Sequence, residues 1–566
     1  MNNYLALTIG PIYETFAQAK RTRAVWAASY FFSYFIKQLT FRTKVAGFKI
    51  LMPYSGSNPV AAGVVPDYKD ITYQSEFGSG LYADRIYFEP NEKTKIELEK
   101  IVADLIGEIA DIIKPKDNPS EKTTGKKKAE SFLKQYLNVH ILEAAIDNKE
   151  SVLNTLNDLL DQQELRQNYM FEMDSNYLLD FFESKDVSKS KLADDAFGPD
   201  RNNGERKFLS IPEIATTTLY RTGDKNDYNR SLHKDFKNED TDLLDELKKN
   251  KFKILPYHKY YAVLYADGDN IGTLLKKVSG DFDALKEFSN QLLCFGLKAE
   301  KAIANYGGNG IYLGGEDILA FLPMACIKED GSRSQTIFNV VQSLDDCFAE
   351  TIGAYAITKE VDPPTLSFGI ALSYLKHPLK ESMHEAHYLM DEVAKKRPCK
   401  NSIGLRFEKH SGQRMECCIE KSKTCSWNYI KAFVEEYTKD ISNETETKTK
   451  ADLLSGVIHR MKDEVFFTVF CAAAREPKYE GVDAVKSPKT VEFGLVAKEK
   501  RLVPFFENFF DEKVHQGDDN PKNIFLQKVR ELTEKVFDDY PNDDKTCRDI
   551  IHTVLRFIHF INSTRE

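Results

Sequence analysis

Residues 260–272 read YYAVLYADGDNIG, and residues 312–323 read YLGGEDILAFLP. The first stretch is an apolar, aromatic-rich run, Tyr260–Ala266, that ends on Asp267 and Asp269 at i and i+2. A short run of this composition closed by Gly and Asn is a strand signal. The second reads as a strand Gly310–Leu313, a Gly314-Gly315-Glu316-Asp317 tip and a strand Ile318–Leu322. If the first strand lies beside this hairpin, the carboxylates of both converge on one edge of a sheet.

Working outward, Gly272–Val278 reads as a helical turn and Ala284–Asn305 as a longer helix. Gln335–Thr351 and Leu379–Lys396 are further helices, and Leu366–Leu372 and Ile403–Phe407 further strands. The order β-α-α-β-β-α-β-α-β predicts a ferredoxin-like or polymerase-palm sheet with helices on one face. Upstream, Tyr4–Ile9 is a strand closed by Gly10-Pro11, and a helix is expected from Ile12 to about Leu39. Phe48–Met52 and Arg85–Phe88 are short strands, so the start of the chain weakly repeats the later pattern. Asn91–Lys185 reads as helical around an exposed basic loop, Pro115–Lys128, which is expected to be solvated. Residues 186–250 read as a polar connector. From Cys418 onward the chain reads as helical, with candidates at Trp427–Ile441, Ala451–Ala474, Phe505–Phe510, Asn523–Val536 and Arg548–Asn562.

The expected fold class is therefore α+β and multidomain. A first palm-type unit is expected in 1–90, completed by part of the following helices. A helical insertion and connector follow in 91–250, a second palm-type unit in 251–415, and a helical C-terminal domain in 416–566.

Composition limits the functions available. The 566 residues suffice for about three to five domains. Apolar residues at 42% and charged residues at 29% are a globular composition. With 78 Lys+Arg against 87 Asp+Glu the net charge is −9, which excludes a uniformly basic nucleic-acid coat. The nine Cys include no C-x-x-C pair, which argues against a zinc ribbon and fits a reducing cytoplasm. The apolar stretch Ala24–Ile36, AVWAASYFFSYFI, is shorter than the ~18–20 residues of a membrane span. A strand reading precedes it and no small-residue cleavage site follows, so it is expected to be a buried helix of a cytoplasmic protein, not a signal peptide.

The chemistry-bearing residues are hard oxygen donors. Asp267, Asp269, Glu316 and Asp317 are the expected catalytic and metal-binding set, since Mg²⁺ is held by one or two carboxylates plus substrate phosphates. Gly314 and Gly315 would let the backbone approach a nucleotide. Gly268, Asn270 and Gly272 would serve its triphosphate, which could meet N–H groups at the start of the next helix. Either motif alone is a common turn. An EF-hand is excluded because the twelfth residue counted from Asp267 is Val278, not Glu. There is no G-x-S-x-G and no P-loop, and Tyr306–Gly310 (YGGNG) precedes a strand and reads as a tight loop. His384 and His387 in H-E-A-H lack the H-E-x-x-H zinc spacing and are expected to be surface or core residues.

Residues 260–412 resemble the catalytic palm of the GGDEF/cyclase family. They resemble more closely that of the large polymerase-like subunit of type III CRISPR effector complexes, Cmr branch. The matching strings are LYADGDNIG (264–272), YLGGEDILAFLP (312–323), LSFGIALSYLKHPL (366–379) and AKKRPCKNSIGLRFEKHSG (394–412). LTIGPIYETFAQAKRTRAVWAAS (7–29) and GLYADRIYFEP (80–90) resemble the first, non-catalytic palm of that subunit. The resemblance implies that target RNA switches on synthesis of a nucleotide second messenger from ATP, with Mg²⁺ or Mn²⁺. The product would be a cyclic oligoadenylate or AMP joined to S-adenosylmethionine. The implied partners are other Cmr-type subunits, with crRNA and target RNA held through the complex and no membrane. Asp267 and Asp269 match the first carboxylate pair, and Glu316 and Asp317 the signature tip, where Glu replaces the usual Asp. Lys395 matches a triphosphate-binding Lys, and Ser367 is a candidate ribose contact. No His-Asp dipeptide occurs, so no HD nuclease is expected, and the missing Cys pairs put the zinc knuckle of some members in doubt. The alternatives are a stand-alone diguanylate cyclase, which the duplicated palm argues against, and a non-catalytic scaffold, which the retained carboxylates argue against.

Overall fold

The computed structural model describes residues 2–56, 67–114, 122–165, 175–197, 209–222, 242–249, 254–327, 334–438, 458, 521–541 and 543–563. The protein is mixed α+β, built on two antiparallel-rich sheets.

The first sheet contains β1 (Asn2–Thr8), β2 (Ile50–Met52), β3 (Arg85–Phe88) and β4 (His140–Ile146), in the order β2-β3-β1-β4. The stretch Ala24–Ile36 lies in the helix Thr22–Val45 and is buried at every position. A helix covered all round has no polar face to preserve, which is why its sequence carries no amphipathic pattern. The single helix expected from Ile12 is two, Ile12–Gln18 and Thr22–Val45, broken where Lys20 turns its N–H to Glu183 (3.1 Å). β4 corrects a second expectation, because it lies in a stretch read as helical. Its pairing with β1, Tyr4 opposite Ala144 and Leu5 opposite Glu143, is long-range and outweighs local propensity. The helix Lys122–Tyr136 takes over the end of the expected basic loop, and residues 115–121 of that loop lie outside the described residues.

The second sheet joins β5 (Tyr260–Asp269), β6 (Asn309–Tyr312), β7 (Ile318–Pro323), β10 (Thr365–Tyr374), β11 (Ser402–Glu408) and β12 (Arg414–Glu420). Its order is β12-β11-β10-β5-β7-β6, while β8 (Ala325–Ile327) and β9 (Ser334–Thr336) form a separate ribbon. β5 is the interior strand between β7 and β10, antiparallel to both. β12 corrects the expectation of helix from Cys418, and position 415 falls inside this strand. Met415, Cys417 and Ile419 are buried at alternate positions, but Cys418 beside them masked the period-two pattern. The helix Leu379–Tyr388 and the π-turn Leu389–Ala394 lie directly on β10 and β11. A Cβ at Gly369 would overlap Ala386 O and Met390 N, and one at Gly404 would stand 2.5 Å from Leu389 O. Glycine at these two strand positions lets the helix sit on bare backbone.

The N-terminal sheet is fastened to the second at the edge strand β6. Gly80 N–H donates to Ile311 O (3.2 Å) and Leu313 N–H to Gly80 O (2.7 Å). Nearby, the buried Glu300 on the helix Phe282–Tyr306 accepts from the N–H groups of Glu76 (3.0 Å), Phe77 (3.2 Å) and Ser79 (3.0 Å), and from the Ser75 hydroxyl. The described C-terminal helices are Thr424–Thr438, Pro521–Asp539 and Asp544–Asn562, and Phe560 of the last packs on Tyr260 (4.8 Å) and Phe407 (4.7 Å). The expected helices Ala451–Ala474 and Phe505–Phe510 lie outside the described residues, apart from position 458. Among the described residues no helix is long and apolar enough to cross a membrane.

Two stability predictions follow from buried polar groups. Glu300→Ala removes the acceptor of the buried Ser79 N–H and of the part-buried Glu76 and Phe77 N–H groups and should cost about 1–3 kcal/mol. Glu300→Gln, which keeps one acceptor oxygen, should cost less, and denaturant midpoints check both. His258 is buried, its Nδ1 accepts the Leu255 N–H (3.0 Å), and its Nε2 has no hydrogen-bond partner among the described residues. Burial pushes its pKa down to about 3, so the folded chain resists a proton that the unfolded chain takes up near pH 6.5. The neutral ring's contribution is therefore complete above pH 6.5 and is lost as pH falls from there toward 3. His258→Asn should flatten the fall in midpoint between pH 6.5 and 5, by at most about 1.4 kcal/mol per pH unit.

Candidate functional site

β5 brings its carboxylates to the tip of the β6–β7 hairpin. The last recorded β5–β7 pair is Ala266 with Ile318, so the register carries Asp267 toward Asp317. At the next residue the two segments touch. A Cβ on Gly268 would stand 2.9 Å from Glu316 Cβ and 2.8 Å from Ile271 Cγ1, so only glycine admits the tip this close to the strand. Gly315 takes the left-handed φ of +70° that the tip requires, and Asp317 N–H closes the turn on Gly314 O (3.3 Å). Sequence positions far apart, 267–268 and 314–317, thus form one end of the sheet.

The electrostatics of this end are set by crowding. Glu316 is half-buried, and Asp317 opens to solvent within the cleft. Loss of hydration raises the Glu316 carboxyl above its ordinary range, with Asp267 the next cause. Asp317, although its side chain reaches solvent, is raised as well, by the crowding of the cleft and then by the charges of Glu316 and Asp267. Lys395 opposes both shifts and forms an ion pair with Asp267. It is aimed by the π-turn, whose N–H(395) reaches back to Met390 O (3.0 Å).

Asp269 is placed differently. Its side chain is fully buried and accepts from Thr365 Oγ1 (2.9 Å), Ser367 Oγ (2.9 Å) and the Asn401 N–H (2.9 Å). Ser367, expected as a ribose contact, has its hydroxyl buried on Asp269 instead, because β10 pairs Ser367 beside β5. Asn270 caps the helix Ile271–Val278 from a left-handed φ of 63° and is exposed. Gly272, in that helix's first turn, has beyond its own helix backbone no atom of the described residues within 4 Å of the position a Cβ would take, so the helix start is uncrowded among them. His387 packs against Tyr13 (5.2 Å) and Tyr265 (5.4 Å), a packing role consistent with its reading as a core or surface residue.

One residue escaped the sequence reading. Asp84, immediately before β3 in the N-terminal unit, lines a cleft of about 340 Å³ with Tyr82, Gly314, Gly315, Glu316 and Asp317. Its carboxyl is raised, chiefly by loss of hydration, and its charge adds to the shifts of Glu316 and Asp317. The available signal was the repeat of Leu-Tyr-Ala-Asp at 81–84 and 264–267.

Among the described residues no three His, Cys, Asp or Glu side chains are gathered into a preformed metal cage. The donor chemistry at the tip nevertheless suits Mg²⁺. Asp267, Glu316 and Asp317 are hard oxygen ligands whose mutual repulsion a divalent cation relieves, and Mg²⁺ needs only one or two protein carboxylates beside substrate phosphates. The geometry gives a contrast between two glycines. Gly268→Ala forces Glu316 aside and should cost about 1–3 kcal/mol. Gly272→Ala, in open space on a helix, should be neutral or stabilise by up to about 1 kcal/mol, and thermal melts of both variants check the pair.

Comparison with known proteins places the chain. The family model described as Cas10/Cmr2, second palm domain, matches residues 260–404, and that described as CRISPR-associated protein Cmr2, N-terminal, matches residues 4–244. The Cmr subunit Cmr2 of Pyrococcus furiosus is 24% identical over 199 residues, which are 31% of this chain and 21% of that protein. The aligned region is thus about a fifth of the curated relative's length. Two solved structures are similar at low identity. A type III-B Cmr-beta complex in the apo state matches at 11% identity with a TM-score of 0.46, over 74% of this chain and 70% of that one. A Csm1–Csm4 cassette in complex with cA4 matches at 11% identity with a TM-score of 0.44, over 90% and 68%. With two models of one family matching most of its length, on both sheets, the chain belongs to the Cas10/Cmr2 family.

Proposed function

We propose that this chain is the signalling subunit of a type III-B RNA-guided complex, and that it joins nucleotides when target RNA is bound. The two sheets would be a non-catalytic first palm and a catalytic second palm, with the helical segment after the second as a C-terminal domain. The reaction is nucleotidyl transfer from ATP. A 3′-hydroxyl, or a group of S-adenosylmethionine, attacks the α-phosphorus, the α–β phosphoanhydride bond breaks, and pyrophosphate leaves. The contact between Gly268 and Glu316 carries this reading, because it sets Asp267 and the Glu316-Asp317 tip at one end of the sheet. Family membership supports it independently.

Asp267, Glu316 and Asp317 would hold Mg²⁺, which supplies charge neutralisation for the phosphates and an acidified hydroxyl. Lys395, paired with Asp267 at rest, is positioned to meet phosphate oxygens as a point charge. The uncrowded start of the helix Ile271–Val278 offers N–H groups to the triphosphate. The cleft lined by Tyr82, Asp84 and Gly314–Asp317 has room for the acceptor. The partners follow from the same reading: other Cmr-type subunits hold crRNA and target RNA, while this acidic chain makes the signal.

The test incubates the assembled complex with Mg²⁺, ATP, S-adenosylmethionine and cognate or non-cognate RNA, with products identified by mass spectrometry. A product that needs cognate RNA and ATP is expected, and Glu316→Ala with Asp317→Ala should reduce its rate by at least about a hundredfold. No RNA-dependent product would sink the reading. Turnover of GTP alone without RNA would favour a diguanylate cyclase.

A further inference from the structure

The loop between the π-turn and β11 holds an unusual backbone. Lys400 and Asn401 are consecutive non-glycine residues at φ of 50° and 44°. Left-handed conformations of this kind cost roughly 1 kcal/mol or more per residue and persist only where the surroundings enforce them. Four contacts hold this one, the first being the Ser402 hydroxyl, which donates to Lys400 O (2.5 Å). The Lys400 N–H donates to Arg397 O (2.9 Å), closing the turn behind Lys395. The Lys421 N–H donates to Asn401 O (2.9 Å) from the end of β12. The Asn401 N–H donates to Asp269 Oδ2 (2.9 Å). Of the four, only Asp269 reaches from β5, the strand that also carries Asp267.

Asp269 is suited to hold rather than to react. Thr365 and Asn401 donate to Oδ2, the one Ser367 hydroxyl lies within reach of both oxygens, and Asp269 and Ser367 are both fully buried. Three protein donors occupy most of the roughly four acceptor sites of this buried carboxylate, so its main partners are protein groups. Asp267, two residues earlier, keeps an open face and pairs with Lys395. The i, i+2 pair that looks like one ligand set in the sequence is therefore divided in the structure.

We propose that Asp269 is a positioning residue: its buried carboxylate holds the left-handed Lys400–Asn401 turn against β5 and thereby sets Lys395 opposite Asp267. This rests on the nucleotide-site reading of Lys395 and Asp267, but the latch itself can be tested without turnover. Hydrogen exchange by mass spectrometry on the full chain reads it directly. Asp269→Ala should raise exchange about tenfold in peptides covering 398–402, while Asp317→Asn leaves them unchanged. Unchanged exchange in Asp269→Ala overturns the proposal. If that variant does not fold, Ser367→Ala takes its place, with about threefold faster exchange expected in the same peptides and no change overturning it.

Two further readouts separate holding from ligation. Asp269→Asn keeps an oxygen for the Asn401 N–H, and its Mn²⁺ affinity, measured by electron paramagnetic resonance, should match the wild type. A loss equal to that of Asp317→Asn would make Asp269 a metal ligand and overturn the proposal. In the assembled complex, Asp269→Ala and Lys395→Ala should each raise the KM for ATP more than they lower kcat. Their double variant should be no worse than Lys395→Ala, whereas additive effects would overturn the link. A wild-type complex that makes no product defeats the nucleotidyl-transfer reading alone, since exchange at 398–402 still decides the latch.

Discussion

The burial of β5 between β7 and β10 governs the rest of the molecule. An interior strand pairs its N–H and C=O groups on both sides, and β5 does so from Tyr260 to Asp269 against β10 and from Tyr261 to Ala266 against β7. Where both neighbours pair with it, from Tyr261 to Ala266, β5 carries only uncharged side chains, and Tyr260 to Leu264 with Ala266 are all buried. On β5, charge enters only where one neighbour ends. β7 ends its pairing at Ala266, and the carboxylates begin at the next residue. The position of the site is thus a consequence of where the hairpin stops pairing with β5.

Backbone proximity then fixes the other components around that point. Gly369 and Gly404 let the helix Leu379–Tyr388 and its π-turn rest on the sheet, and the widened turn delivers Lys395 at the end of β5. A side chain at either glycine would lift the helix and move Lys395 away from Asp267. On the opposite flank, Gly80 bonds with Ile311 and Leu313 just before the Gly-Gly-Glu-Asp tip, which places Asp84 at the same cleft. The helix and the N-terminal sheet are therefore located by contacts with the backbone, which few substitutions can adjust.

Much of this was legible in the sequence where a local pattern and a buried role coincide. β5, the hairpin and the strands at 366–372 and 403–407 all announce themselves as short apolar runs bounded by turn residues. β4 and β12 did not. β4 is an edge strand with a half-exposed surface, and only its pairing with β1 makes it a strand. β12 carries adjacent cysteines that blur its alternation. The site was legible as a set of residue types, but not as a set of roles. Asp267 and Asp269 look equivalent in Asp-Gly-Asp, and nothing local reveals that Thr365, Ser367 and Asn401, more than ninety residues later, all turn toward Asp269. Asp84 was missed for the same reason, since its neighbours at 314–317 come from another sheet.

The glutamate at 316 is best understood together with Gly268. A longer acid at the tip needs space for an extra methylene before its carboxyl can reach the end of β5. The space exists because position 268 has no side chain: a Cβ there would lie 3.1 Å from Glu316 Cγ and 2.9 Å from its Cβ. The stem of Glu316 occupies the room that a residue with a side chain on β5 would fill. An aspartate at 316 would leave part of that contact empty, and the tip would have to settle toward the strand to keep its carboxyl beside Asp267. The glycine and the glutamate therefore act as one feature. The nearer contact is with the Cβ of residue 316, which any acid there would have, so the metal-binding chemistry proposed for this end depends on glycine at 268 as well as on the acid at 316.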